Sequence, residues 1–272
     1  MSIHEILKLK KHQILAPDEI KRKIQESKAN QIVLTLTSKN FNEVLGGGFI
    51  SGKKYLIFGP NTTGKTQICH QLCVDAYKYL SRTRDVKNDK FIFYFDTENT
   101  FRPERLEEIS VDVNVETMSL LKSIQVSKIM SNTALLLSLK NFEKTINENF
   151  SNILIIDTIN NYYRSDLSNN KISFIKARET FLNILKIIND LTATYKLIVI
   201  ATAQVTSNFL RKAILQEIPV GNQFLNHFFT EYLYLREKSK NEYFIQLVNS
   251  LGLTEMKRGY TITKEGIQDI SD

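Results

Sequence analysis

Gly59-Pro60-Asn61-Thr62-Thr63-Gly64-Lys65-Thr66 fits the phosphate-loop pattern G-x-x-x-x-G-K-T. Glycines at both ends let the backbone wrap close to a polyphosphate with successive N–H groups pointing inward, Lys65 supplies a point charge, and the Thr66 hydroxyl can ligate Mg²⁺. A nucleoside triphosphate with Mg²⁺ is the expected ligand. Three other polar side chains stand where such a ligand would be worked on. Asp157 finishes the apolar run Ile153-Leu154-Ile155-Ile156, a position where a carboxylate either holds Mg²⁺ through water or caps the next element. Asp96-Thr97-Glu98 ends another run, and Glu98 there could orient or deprotonate an attacking water. Gln204 follows the run Leu197 to Ala201; a neutral amide at a strand end senses a γ-phosphate by hydrogen bonding, or simply lies in a surface turn.

The elements that must position these groups are legible around them. Tyr55-Leu56-Ile57-Phe58 reads as a buried strand, and Ile68, Cys69, Leu72, Cys73, Ala76 and Leu80 recur at helical spacing, so strand, loop and helix arrive in the required order. The helix N-terminus adds its dipole to the anion site. Phe91 to Phe95, Ile153 to Ile156 and Leu197 to Ile200 are continuous apolar runs of the kind that form strands covered on both faces, as in a parallel sheet. Phe174, Ile175, Leu182, Leu185, Ile188 and Leu191 mark a long helix, and Gly46-Gly47-Gly48 breaks the pattern before the first core strand. Tyr232 to Arg236 and Tyr243 to Leu247 alternate as hairpin strands do. Residues 1–30 read as one or two short, polar, basic helices, with Pro17-Asp18-Glu19 as a helix start. The expected fold is α/β: a mostly parallel central sheet flanked by helices, with a C-terminal β-hairpin extension, over residues 31–272.

At 272 residues and 42% hydrophobic, the chain can bury one large core or two modest ones without covalent staples. Cys69 and Cys73 share a helix face, which suits core packing better than a disulfide, and Cys69-His70 has no second ligand cluster to make a metal site with. Charges are too dense between Met1 and Lys11 for a signal peptide, and no run approaches the ~18 apolar residues of a membrane helix, so an intracellular, soluble protein is expected. The balance of 36 Lys+Arg against 29 Asp+Glu, net +7, favours a polyanionic partner. Lys8, Lys10, Lys11, Lys21, Arg22 and Lys23 hold part of that excess, either as a solvated helix face or as a nucleic-acid contact.

Two stretches carry a family resemblance. Gly59 to Gln71 (G-P-N-T-T-G-K-T-Q-I-C-H-Q) and Phe95 to Leu106 (F-D-T-E-N-T-F-R-P-E-R-L) resemble the ATPase core of the archaeal and eukaryotic strand-exchange recombinases, the RecA/RadA family. The similarity continues through Leu36 to Gly48, the Asp157 strand, Tyr163-Arg164-Ser165-Asp166, Ala201 to Val205 and Leu233 to Arg236. It implies a RecA-type ATPase core that assembles on single- or double-stranded DNA and hydrolyses ATP between subunits, in the cytoplasm, nucleoid or nucleus. By matching, Lys65 and Thr66 bind phosphate and Mg²⁺ and Gln67 belongs to the same nucleotide site. Glu98 activates water, Asp157 is the second carboxylate, Gln204 senses the γ-phosphate, and Arg105 faces adenine. The segments after Tyr163 and after Gln204 match two DNA-binding loops, which makes Arg164, Lys171, Arg178, Arg211 and Lys212 candidate DNA contacts. His227 falls where the family has a histidine beyond the second loop.

Several stretches depart from the pattern. Residues 1–35 show neither the family's helix-hairpin-helix domain nor its Phe-x-x-Ala linker motif, and Ser168-Asn169-Asn170-Lys171 lacks the glycine-and-arginine tip of the first loop. Val205 to Val220 is a shortened second loop, in which Phe209 either stacks on a base or packs in the core. Asn249 to Leu253 replaces an aspartate and prolines that cap a neighbour's ATP in the family. These changes suit an accessory paralogue of the RadB type. The alternatives are a full strand-exchange recombinase, or a signalling or scaffolding protein of the same fold.

Overall fold

In the computed structural model, the described residues are Asp18, 31–83, 90–146, 152–208 and 215–271. The chain divides into two units, Met1–Ile32 and Val33–Asp272, and the sheets and their helices belong to the second. The expected N-terminal helices, apart from Asp18, lie outside the described residues, as do Phe209, Arg211 and Lys212.

In chain order the elements are β1 (Val33–Leu34), α1 (Lys39–Val44), β2 (Phe49–Ile50), β3 (Lys54–Phe58), α2 (Lys65–Thr83), β4 (Ile92–Asp96), α3 (Pro103–Asp112) and α4 (Thr117–Ser123). Next come β5 (Ile124–Lys128), α5 (Asn132–Glu143), β6 (Ile153–Asp157), α6 (Asn161–Leu167), α7 (Phe174–Tyr195), β7 (Ile198–Ala203), β8 (Val205–Ser207) and β9 (Glu217–Pro219). The chain closes with α8 (Asn222–Leu225), β10 (Glu231–Ser239), β11 (Glu242–Ser250), β12 (Met256–Thr263) and β13 (Gly266–Asp269).

One nine-stranded sheet runs β13-β12-β11-β10-β3-β7-β6-β4-β5. From β10 to β5 every neighbouring pair is parallel; from β10 to β13 every pair is antiparallel. The apolar runs form strands because each residue has an apolar partner on whichever side it points. Along β6, Ile153 and Ile155 enter one core while Leu154 and Ile156 enter the other; Tyr94 and Ile92 on β4 part in the same way from Phe93 and Phe95. The first core is closed by Ile68, Cys69 and Leu72 of α2 and Leu106 and Ile109 of α3, the second by Leu135 and Leu139 of α5 and Phe181, Ile184 and Ile188 of α7. Cys69 and Cys73 are free thiols wholly buried in the first core. Among the described residues no helix is long and apolar enough to cross a membrane.

Two features differ from the sequence-based expectation. The expected C-terminal hairpin is β10–β11, but β12 and β13 extend it to four strands, and it is continuous with the central sheet because β10 pairs in parallel with β3, Glu231 opposite Tyr55 and Tyr234 opposite Phe58. The edge strand β5 carries no clear signal in the sequence: Ile-Gln-Val-Ser-Lys is half polar, since only one of its sides pairs and its outward residues face water.

The three glycines ahead of β3 do turn the chain. Gly48 has φ 140°, and a Cβ there would clash with the carbonyl oxygen of Leu34 in β1. Gly48→Ala must therefore push apart the β1–β2 pair, and it should destabilise the fold by roughly 1–3 kcal/mol, the usual penalty of a strained backbone position. A lower urea midpoint with an unchanged denaturant slope is the expected result.

Candidate nucleotide and phosphate site

The loop Gly59 to Gly64 joins the end of β3 to the start of α2, and the C-terminal strands hold it from behind. A Cβ on Gly59 would clash with the Leu235 carbonyl of β10, and one on Gly64, where φ is 87°, would clash with Ile262 Cδ1 of β12. The Tyr260 hydroxyl, also from β12, donates to the Thr63 carbonyl at 2.7 Å. Gly59 is thus required by the close approach of backbone, and Gly64 by its left-handed conformation, since the Ile262 tip could move aside. Lys65 is almost buried at the first position of α2 and donates from Nζ to the carbonyls of Gly59 (2.8 Å) and Pro60 (2.7 Å). Burial pulls its pKa below the ordinary lysine value, while Asp157 and Glu98 act in the opposite direction.

Asp157 ends β6 and is completely buried. Its Oδ2 accepts from Thr66 Oγ1 at 2.7 Å and from the Tyr94 hydroxyl at 2.9 Å, with Thr100 Oγ1 at 3.5 Å; its Oδ1 accepts from Thr202 Oγ1 at 2.5 Å. The Thr66 hydroxyl and the Asp157 carboxylate form an all-oxygen donor pair of the kind a hard cation such as Mg²⁺ prefers, so the residues present fit that ion.

Asp96 and Glu98 divide the neighbouring strand end between them. Asp96 accepts from the backbone N–H groups of Glu98 and Thr100 (3.1 Å each) and of Phe101 (3.0 Å), and so shapes the turn. Glu98 is left to face the groove, its Oε1 accepting from Thr158 Oγ1 at 3.1 Å and from Gln204 Nε2 at 2.5 Å. Gln204 Oε1 in turn accepts from Arg164 Nη1 at 2.8 Å. Lys65, Thr66, Gln67, Glu98 and Gln204 line one groove of about 440 Å³, together with Asn61 and Thr62 of the loop. Gln67 Oε1 also accepts from Arg105 Nε at 2.6 Å, while the rest of that guanidinium donates to Glu108 and to the carbonyls of Thr263 and Lys264.

The candidate DNA contacts are spread more widely. Arg164 is exposed on α6, a helix rather than the loop expected after Tyr163; Lys171 is exposed in the turn that follows, and Arg178 is exposed on α7 with its guanidinium carbon 5.9 Å from the Phe224 ring centroid. His227 is exposed just beyond α8. The second segment is not featureless: β8 and β9 pair Val205 with Pro219 and Ser207 with Glu217. Sequence reasoning missed Tyr94 and Thr202, the hydroxyls that donate to Asp157. A hydroxyl inside an apolar run was the available signal, but which face it occupied was not readable.

Comparison with known proteins places the chain in a family. Residues 27–270 match the family described as Rad51. A meiotic recombination protein of Candida albicans, DLH1, is 30% identical over 253 residues, 90% of this chain and 76% of the relative. The DNA repair and recombination protein RadA of Cenarchaeum symbiosum is 26% identical over 88% of this chain, which spans 59% of that relative's length. The Drosophila melanogaster DNA repair protein Rad51 homolog is 28% identical over 91% of this chain and 73% of its own. With its RecA-type sheet and a match that runs from residue 27 to residue 270, the chain belongs to the Rad51 family of recombination and repair proteins.

Proposed function

We propose that this protein is a Mg²⁺-dependent ATPase whose hydrolysis is coupled to DNA binding, acting in recombination and repair as an accessory paralogue of the RadB type. The observation that carries the reading is the meeting, in one groove, of Thr66, whose hydroxyl is held from beneath by buried Asp157, with the Glu98–Gln204 pair. MgATP, when bound, supplies the γ-phosphoryl group and a divalent charge that offsets negative charge developing on it. Loop N–H groups and Lys65 hold the phosphates, and Thr66 with Asp157 would hold the metal. Glu98 orients the attacking water, taking its proton at Oε2, an oxygen with no donor among the described residues. Gln204 reports the γ-phosphate, and Gln67 and Arg105 mark the nucleoside side.

The net charge of +7 and the exposed Arg164, Lys171 and Arg178 support DNA as the partner, with Arg211 and Lys212 contributing from the second loop. The DNA would be that of the nucleoid or nucleus, and a second copy or a related recombinase is the natural protein partner. The altered tip Ser168 to Lys171 and the segment Asn249 to Leu253 favour the accessory role over full strand exchange.

Lys65→Ala should abolish nucleotide binding or turnover while circular dichroism stays native, because lysine contributes charge to phosphate and little to the core. Unchanged turnover would remove this loop from the ATPase site. Glu98→Gln should keep ATP binding and lower hydrolysis by ~10²–10⁴-fold, the cost of a lost general base. If binding and hydrolysis vanish together, Glu98 is structural. DNA titrations at several salt concentrations should give Arg211→Ala/Lys212→Ala a slope shallower by roughly two units, about one per phosphate contact. Identical slopes would place the DNA site elsewhere.

A further inference from the structure

Glu98, Gln204 and Arg164 form a continuous line from the groove to the surface. Gln204 bridges it, with Nε2 on the Glu98 carboxylate and Oε1 under the Arg164 guanidinium. Its backbone is pinned. Gln204 N donates to Asn160 Oδ1 (2.9 Å), Asn160 Nδ2 donates to the carbonyls of Gln204 (2.9 Å) and Val220 (3.0 Å), and Val220 N donates to the Gln204 carbonyl (3.0 Å). The β8–β9 ladder closes the base of the second loop beyond that clamp. Whatever Gln204 senses therefore leaves through its side chain, and the side chain points at α6 rather than along the second loop.

We propose that Arg164 is a positioning residue through which a bound DNA phosphate controls Glu98. The proposal rests on the DNA-coupled ATPase reading and adds the route of coupling. Arg164 is the exposed member of the line, on the helix that leads into the turn carrying Lys171. A phosphate offers a guanidinium full negative charge and two parallel acceptors, so it displaces a neutral amide oxygen. Gln204 Oε1 then loses its donor, the amide is free to rotate, and Glu98 Oε1 is released from Nε2. Without DNA, that oxygen is occupied by Gln204 and Thr158. With DNA, the carboxylate is held by Thr158 alone and is free to turn Oε2, the proton-accepting oxygen, toward water. Arg164 thus acts as a brake that DNA lifts, and the same displacement gives the groove a γ-phosphate-facing amide only when DNA is present.

The test is ATP turnover with and without oligo(dT), each variant titrated to DNA saturation, with the KM for ATP measured alongside. For wild type, DNA should raise kcat with little change in KM. Arg164→Ala should turn over faster than wild type in the absence of DNA, and its ratio of kcat with DNA to kcat without should fall to about one. Arg164→Lys, which keeps a charged donor, should restore part of the DNA dependence. Gln204→Met cuts the line without touching the surface, so its ratio should also be about one while its oligo(dT) affinity stays that of wild type; the double variant should add nothing further. An Arg164→Ala protein with a low basal rate that saturating DNA still raises as in wild type overturns the proposal and leaves Arg164 as a phosphate contact only. Wild type that binds oligo(dT) without any change in kcat overturns the proposal but not the DNA-binding reading, and wild type that binds no oligo(dT) overturns both. Should Arg164→Ala lose its native circular dichroism, the Arg164→Lys protein decides, and a ratio equal to that of wild type overturns the proposal.

Discussion

The architecture of the site depends on satisfying one buried carboxylate. A carboxylate removed from water must find hydrogen-bond donors or it costs several kcal/mol. Asp157 takes its donors from three elements at once: Thr66 at the start of α2, Tyr94 on β4 and Thr202 on β7. Because β6 lies between β4 and β7, a single side chain fixes the relative height of three strand ends and of the helix that carries the phosphate loop. The carboxylate that meets Thr66 therefore also ties the first turn of α2 to the sheet. Substitutions there cannot separate chemistry from folding, whereas Glu98, on the rim of the groove, is separable.

The two acids at the end of β4 show the complementary arrangement. Asp96 is buried and spends its oxygens on three backbone N–H groups, which fixes the turn through Asn99, whose φ is 59°. Glu98 has no such structural duty and carries its carboxylate into the open groove. His70 of α2 stabilises the same turn from the other side by accepting from Arg102 N at 3.1 Å, and burial drives its pKa down to about 4, which keeps the imidazole neutral and able to accept. Rigid backbone thus surrounds a side chain that can change partners.

The phosphate loop, the two acid-ended strands and the amide were readable because each combines a polar residue with an apolar run, and a run buried on both faces leaves little choice of register. Gln204 was legible as a strand-end amide, but its contact with Arg164 was not, since nothing in Tyr163-Arg164-Ser165-Asp166 says that the side chain reaches across to meet residue 204. The same limit hid Tyr94 and Thr202: alternation tells that two faces exist, while only the packed sheet tells which face looks toward Asp157. β5 escaped because an edge strand needs just one buried side, and the four-stranded extension because pairing of β10 with β3 joins segments far apart in sequence.

That last pairing has a consequence for the order in which the molecule can be made. The loop's rear support comes from Leu235, Tyr260 and Ile262, which follow it by well over a hundred residues. A chain emerging from the ribosome presents its phosphate loop early but without the strands that hold Gly59 and Gly64 in place. Contacts so distant in sequence form late, after their loop-closure entropy has been met. A nascent chain should therefore acquire nucleotide affinity only when β12 has been added, so that ligand binding reports completion of the sheet and a truncated product, lacking the brace, carries the motif without the site.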